Sequence, residues 1–92
     1  MDVSRLVRNP QITKSEIGGE ALLHSVGSEQ IHYLNATASV IWDLCDGQHT
    51  LEDMEAALRA SFAIPAEADV QADVQRTLES LVDKGLLQLG ED

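Results

Sequence analysis

The chain has 92 residues, 43% of them hydrophobic and only three aromatic, so one domain spanning residues 1–92 with a mostly aliphatic core is expected. Sixteen acids against six bases give a net charge of −10, concentrated in residues 42–92. This works against a nucleic-acid partner and suits a basic peptide, a basic protein face or plain solubility. A lone Cys45 excludes a disulfide framework, and MDVSRLVRNPQ lacks the apolar run of a signal peptide. With no apolar run of about 20 residues either, a cytoplasmic protein without membrane contact is expected.

The first third of the chain reads as strands. Residues 11–17 are followed by Gly18-Gly19, residues 20–26 by Gly27-Ser28, and residues 30–34 (QIHYL) alternate in character. Short β-rich runs separated by glycine turns predict a three-stranded antiparallel meander, which needs cover on one face. Helical periodicity then takes over. Asn35 is a capping residue, although Asn35-Ala36-Thr37 also matches a glycosylation sequon. Thr37, Val40, Ile41 and Leu44 recur at helical spacing until Asp46-Gly47 stops the run.

Thr50 opens a second helix, with Asp53 as the acidic partner of a capping box and Leu51, Met54, Leu58 and Phe62 as its stripe. A third helix is predicted from Pro65 or Ala66, with Glu67 and Asp69 near its N-terminus. Its stripe is Val70, Val74, Leu78, Leu81 and Val82, with Lys84 in the last turn and Gly85 at the stop. Leu86, Leu87 and Leu89 form a tail expected against the sheet. The predicted fold is α+β and winged-helix-like: a three-stranded antiparallel sheet followed by a three-helix bundle. Trp42 is expected to seal the first helix against the second or third.

Catalysis finds little support in this pattern. Cys45 has no His or Lys beside it to lower its pKa, so an inert, partly buried thiol is expected. His24 and His32 face each other across their hairpin only if the Gly27 turn has three residues. Two histidines fall short of the three or four ligands of a stable zinc site, so no metal or cofactor is expected. No carboxylate pair stands out as an acid/base couple, and Gly18-Gly19 lies between strands rather than before a helix. Acids on the third helix (Glu67, Asp69, Asp73, Glu79 and Asp83) outnumber Arg76 and Lys84, which a DNA-recognition helix would not tolerate. The chain is therefore not expected to be an enzyme.

What remains is a sheet edge. Residues 11–17 carry Lys14 and Glu16 behind Pro10, which protects an edge from pairing; residues 30–34 carry no proline and no charge. An extended peptide could add there as a fourth strand.

An ordered set of residues links this pattern to a known family. Leu34-Asn35, Thr37-Ala38, Ile41-Trp42, Cys45-Asp46-Gly47 and Thr50, followed by Asp73-Val74, Leu78 and Lys84-Gly85-Leu86, resembles the PqqD-like family over roughly residues 4–89. The resemblance implies a non-catalytic peptide chaperone, or recognition element, for ribosomally made and post-translationally modified peptides. Such a domain binds the leader of a precursor peptide and presents it to a modifying enzyme, often a radical S-adenosylmethionine (SAM) protein. It further implies that the leader pairs antiparallel to the third strand, in a groove against the third helix. Carried onto this chain, the peptide-binding residues are Gln30, Ile31, His32, Tyr33 and Leu34 on the strand. On the helix they are Val74, Thr77, Leu78 and Leu81, which could equally be core. A proline at His32 is expected to weaken binding if that N–H faces the leader.

Leu22-Leu23 matches members of the pyrroloquinoline quinone (PQQ) pathway, but Gly27-Ser28-Glu29-Gln30 replaces the Pro-Glu-Arg that tends to follow there. This points to the broader family and leaves PQQ and other peptide pathways both open. Two readings compete with leader binding: a winged-helix DNA-binding regulator, and a structural subunit that homodimerises through the same open edge.

Overall fold

The structure, a computed structural model, describes residues 5–27 and 29–90. Its elements in chain order are β1 (Leu6–Arg8), β2 (Ile12–Ile17), β3 (Glu20–Ser25), β4 (Ile31–Leu34), α1 (Ala36–Asp43), α2 (Leu51–Ser61), α3 (Val70–Asp83) and β5 (Leu87–Leu89). Strands β2, β3 and β4 form the expected antiparallel meander in that order. Gly18 and Gly19 both take positive φ, +60° and +86°, which a tight two-residue hairpin turn between Ile17 and Glu20 requires. Of the second turn, Gly27 is also at positive φ, whereas Ser28 lies outside the described residues.

Local chemistry sets the helix starts. The Asn35 side chain accepts from the Ala38 N–H at 2.9 Å. Thr50 and Asp53 form a reciprocal capping box, each side chain accepting from the other's backbone N–H at 3.1 and 2.9 Å. The third helix departs from expectation. It starts at Val70, capped by Asp69, whose carboxylate accepts from the Ala72 N–H at 3.1 Å. Pro65 instead opens a turn closed by the Ala68 N–H, and Arg59 of α2 donates to the Pro65 and Ala68 carbonyls, which satisfies this backbone outside any helix. At the other end Gly85 N–H donates to Val82 and Leu86 N–H to Leu81, a Schellman stop that fixes where Lys84 sits.

The core lies between the sheet and the helices. Leu23, Met54, Val74 and Leu78 are fully buried in it, joined by Ala21, Leu34, Ile41, Leu58, Val70 and Leu81. Val82, counted in the apolar stripe by periodicity, is 37% exposed, since it falls at the margin of the buried arc. Cys45 is buried, and burial first, with Asp46 and Asp43 nearby, pushes its thiol up to about 12 against the opposing pull of Arg8.

The chain's two flanks hold a feature that periodicity does not reveal. The leucine tail does not lie on the meander; Leu87–Leu89 pairs with Leu6–Arg8 in a separate two-stranded sheet, Leu6 facing Leu89. The loop after α1 braces β1, through Arg8 N–H to Cys45 and Gly47 N–H to Leu6. Trp42 accordingly meets β1, with the Arg8 guanidinium 5.5 Å from its ring centroid.

Three carboxyls have pKa values held below the ordinary range. Asp53 is lowered by the Thr50 cap bonds, Asp46 by the hydrogen bond with His49, and Glu55 by Gln71 and Arg59. Their contribution to stability is complete above the ordinary carboxylate pKa of about 4 and is lost as pH falls through the lowered values. The urea midpoint is therefore expected to fall on acidification below about pH 4, and less steeply in Asp53→Asn. An acid limb identical in Asp53→Asn would show that the capping carboxylate takes no part.

Candidate functional site

The backbone of β4 decides what its edge can do. Along the β2–β3 ladder, the Val26 N–H donates to the Gln11 carbonyl at 2.9 Å, one rung beyond the Ile12–Ser25 pair. Antiparallel pairs alternate between bonded and non-bonded, so Glu20, Leu22, His24 and Val26 direct their backbone groups to β2. Ala21 and Leu23 then direct theirs to β4, where they face Leu34 and His32. It follows that the N–H and C=O of Ile31 and Tyr33 point away from β3. Among the described residues no further strand pairs with β4.

This parity corrects the expectation attached to His32. Its N–H faces Leu23 inside the sheet, so proline there would break the meander rather than the edge. The register also sets His32 opposite Leu23 and His24 opposite Ile31, which puts the two histidines on opposite faces. They do not form a pair. Among the described residues no group of three or more His, Cys, Asp or Glu could hold a metal ion.

The opposite edge is occupied differently. Lys14 of β2 reaches Asp43 of α1 at 2.7 Å and Glu16 at 2.6 Å. Burial disfavours the charge on Lys14, but its hydrogen bonds to Asp43 and Glu16 prevail and raise its pKa. Strand β2 is the sheet's other outer strand and carries these charges, which guard an edge against pairing, whereas β4 carries none.

Beside that edge runs an open groove of about 530 Å³. Tyr33 and Leu34 form one side, and Asn35, Thr37 and Ala38 at the start of α1 form its end. Asp73, Arg76, Thr77, Ser80, Leu81 and Lys84 form the α3 wall. The Tyr33 ring is 58% exposed, and its hydroxyl donates to the Glu20 carboxylate, which raises the phenol's pKa. A smaller, more enclosed cavity of about 310 Å³ adjoins the groove, sharing Thr37, Asp73 and Thr77 with it.

The residues named from sequence divide accordingly. Tyr33, Leu34, Thr77 and Leu81 line the groove. Ile31 and His32 lie on β4 and Gln30 just before it, outside the lining. Val74 and Leu78 are fully buried and belong to the core. Periodicity did not identify Asp73, Arg76, Ser80 and Lys84. With Thr77 these form a second stripe at helical spacing, rotated one residue from the apolar one, and that polar stripe was the available signal.

Three comparisons bear on this geometry. The model of the family described as coenzyme PQQ synthesis protein D (PqqD) matches residues 20–87. No curated protein matches the chain. Among solved structures, the fold is similar to that of TbiB1 in complex with the TbiA(β) leader peptide, with a TM-score of 0.75 at 23% identity over 94% of this chain and 99% of that one. It is also similar to part of the heterocyclase TruD, with a TM-score of 0.61 at 22% identity over 91% of this chain and 11% of that one.

Proposed function

The chain belongs to the PqqD family, and from that premise we propose that it is a non-catalytic chaperone for the leader of a ribosomally made precursor peptide. The leader adds as a strand to β4 and lies in the groove against α3. The observation that carries this reading is the β4 edge, where Ile31 and Tyr33 turn their backbone groups outward beside an open groove. The similar fold of TbiB1, solved with a leader peptide, supports it. In this binding mode the leader residues opposite Ile31 and Tyr33 place side chains on the outer face of the sheet. The residue opposite His32 points inward to the groove.

The modifying partner is of radical SAM type, in the PQQ pathway or another peptide pathway. The fold shared with part of the heterocyclase TruD supports a domain of this kind working with an enzyme. A cytoplasmic setting suits the free, buried Cys45. Among the described residues no helix is long and apolar enough to cross a membrane.

The test is an NMR titration of the labelled protein with the leader of a short peptide encoded beside its gene. Shifts confined to Ile31–Leu34 and the α3 wall are expected. An intact fold without shifts at these residues, at peptide concentrations up to about 1 mM, would overturn the reading.

A further inference from the structure

The net charge of −10 makes this protein a poor partner for an acidic peptide at long range, yet the groove has a different local balance. Its charged lining is Asp73, Arg76 and Lys84. Residues 42–92 contain only three bases, Arg59, Arg76 and Lys84, and two of them stand on this wall. Arg76 is bound to Asp73 on the helix surface, with side chains 72% and 65% exposed, a pair that water and salt screen to little strength. Lys84 is exposed, and among the described residues its ammonium meets no acceptor. The Schellman stop at Gly85 fixes its Cα at the end of α3, where a cation also complements the helix dipole. The remaining polar side chains of the α3 wall are hydroxyls. Thr77 donates its own to the Asp73 carbonyl, and Ser80 stands one turn before Lys84. Among the described residues the wall thus offers one unpaired cation, Lys84, beside an exposed Arg76–Asp73 pair.

We infer that the peptide bound in this groove carries an aspartate or glutamate that pairs with Lys84, with Arg76 as a second donor, and that this acid sets selectivity. This rests on the proposed function and deepens it: the backbone pairing of strand addition along β4 is blind to side-chain charge, and the α3 wall holds the charged side chains of the groove that can discriminate between leaders. The acidic exterior sharpens the choice. It disfavours peptides acidic throughout and leaves a single well-placed carboxylate as the feature that the groove rewards.

The experiment is a selection of displayed random 20-residue peptides against the wild-type protein, K84E and K84R, each first shown to be folded by circular dichroism. Wild type is expected to recover peptides with Asp or Glu enriched at one position of the aligned set. Their affinity should fall about fivefold or more in K84E and be largely kept in K84R, the scale of one exposed ion pair. K84E should in turn select Lys or Arg, or no charge, at that position. Recovered peptides that contact β4 but show no acidic position, or bind K84E equally well, would overturn the inference and leave strand addition standing. Recovery of no peptide by folded wild type would overturn strand addition, and the acid preference with it.

Discussion

The substitution Tyr33→Pro is expected to weaken leader capture in a protein of near wild-type stability, whereas His32→Pro, one residue earlier, is expected to destabilise the sheet. The difference follows from parity alone. The Tyr33 N–H points out of the sheet, and proline is accepted on an edge strand where that group faces solvent. The residue before it, His32, is already extended, as a residue preceding proline prefers. The leader loses a backbone partner and meets the pyrrolidine ring in its path, so the dissociation constant should rise about tenfold or more. Tyr33→Ala, which removes the ring but keeps the N–H, isolates the backbone part. His32→Pro leaves the Leu23 carbonyl without its donor beside the core, at a cost of about 1–3 kcal/mol before any strain. Thermal melts and peptide titrations on the three variants decide the matter. If His32→Pro folds and fails to bind while Tyr33→Pro binds normally, the outward face of β4 has been assigned to the wrong residues.

Leu78→Ala should do the reverse of an edge variant. Leu78 is fully buried at the middle of α3, so its truncation loses both transfer energy and packing, typically 2–5 kcal/mol. A chain of this length has roughly 5–14 kcal/mol in total. The melting temperature should fall by about 10 °C or more, at roughly 4–8 °C per kcal/mol. The protein that remains folded should keep its affinity, because the groove wall is the neighbouring stripe. A variant with wild-type stability and lost binding would return Leu78 to the site.

These contrasts show where sequence patterns carry information and where they stop. The Gly18-Gly19 turn and the Asn35 and Thr50 caps are short-range devices, complete within a few residues, and the structure has them at the expected positions. The proline at 65 predicts a start for α3 at Pro65 or Ala66, but the helix begins at Val70. The Pro65 and Ala68 carbonyls are instead taken by Arg59, a residue from another helix that a local pattern does not weigh. β1 spans three residues, too few for an alternation to register, and forms only because β5 and the Asp46–Gly47 loop lie on either side. The groove was legible as an edge strand from the lack of charge in residues 30–34. On the opposite wall Thr77 and Leu81 line the groove but Val74 and Leu78 are core, because apolar spacing finds what a helix buries and not what it offers beside the buried stripe.

The pairing of β1 with β5 also has a mechanical consequence. Leu6 and Leu89 face each other on one rung, so the chain enters and leaves at the same end of that ladder. Tension applied between the two flanks would load these hydrogen bonds one after another, as in opening a zipper, rather than all at once in shear. The small sheet would then yield at low force. The meander of β2, β3 and β4 lies outside that first force path, so its open edge would outlast the release of the flanks.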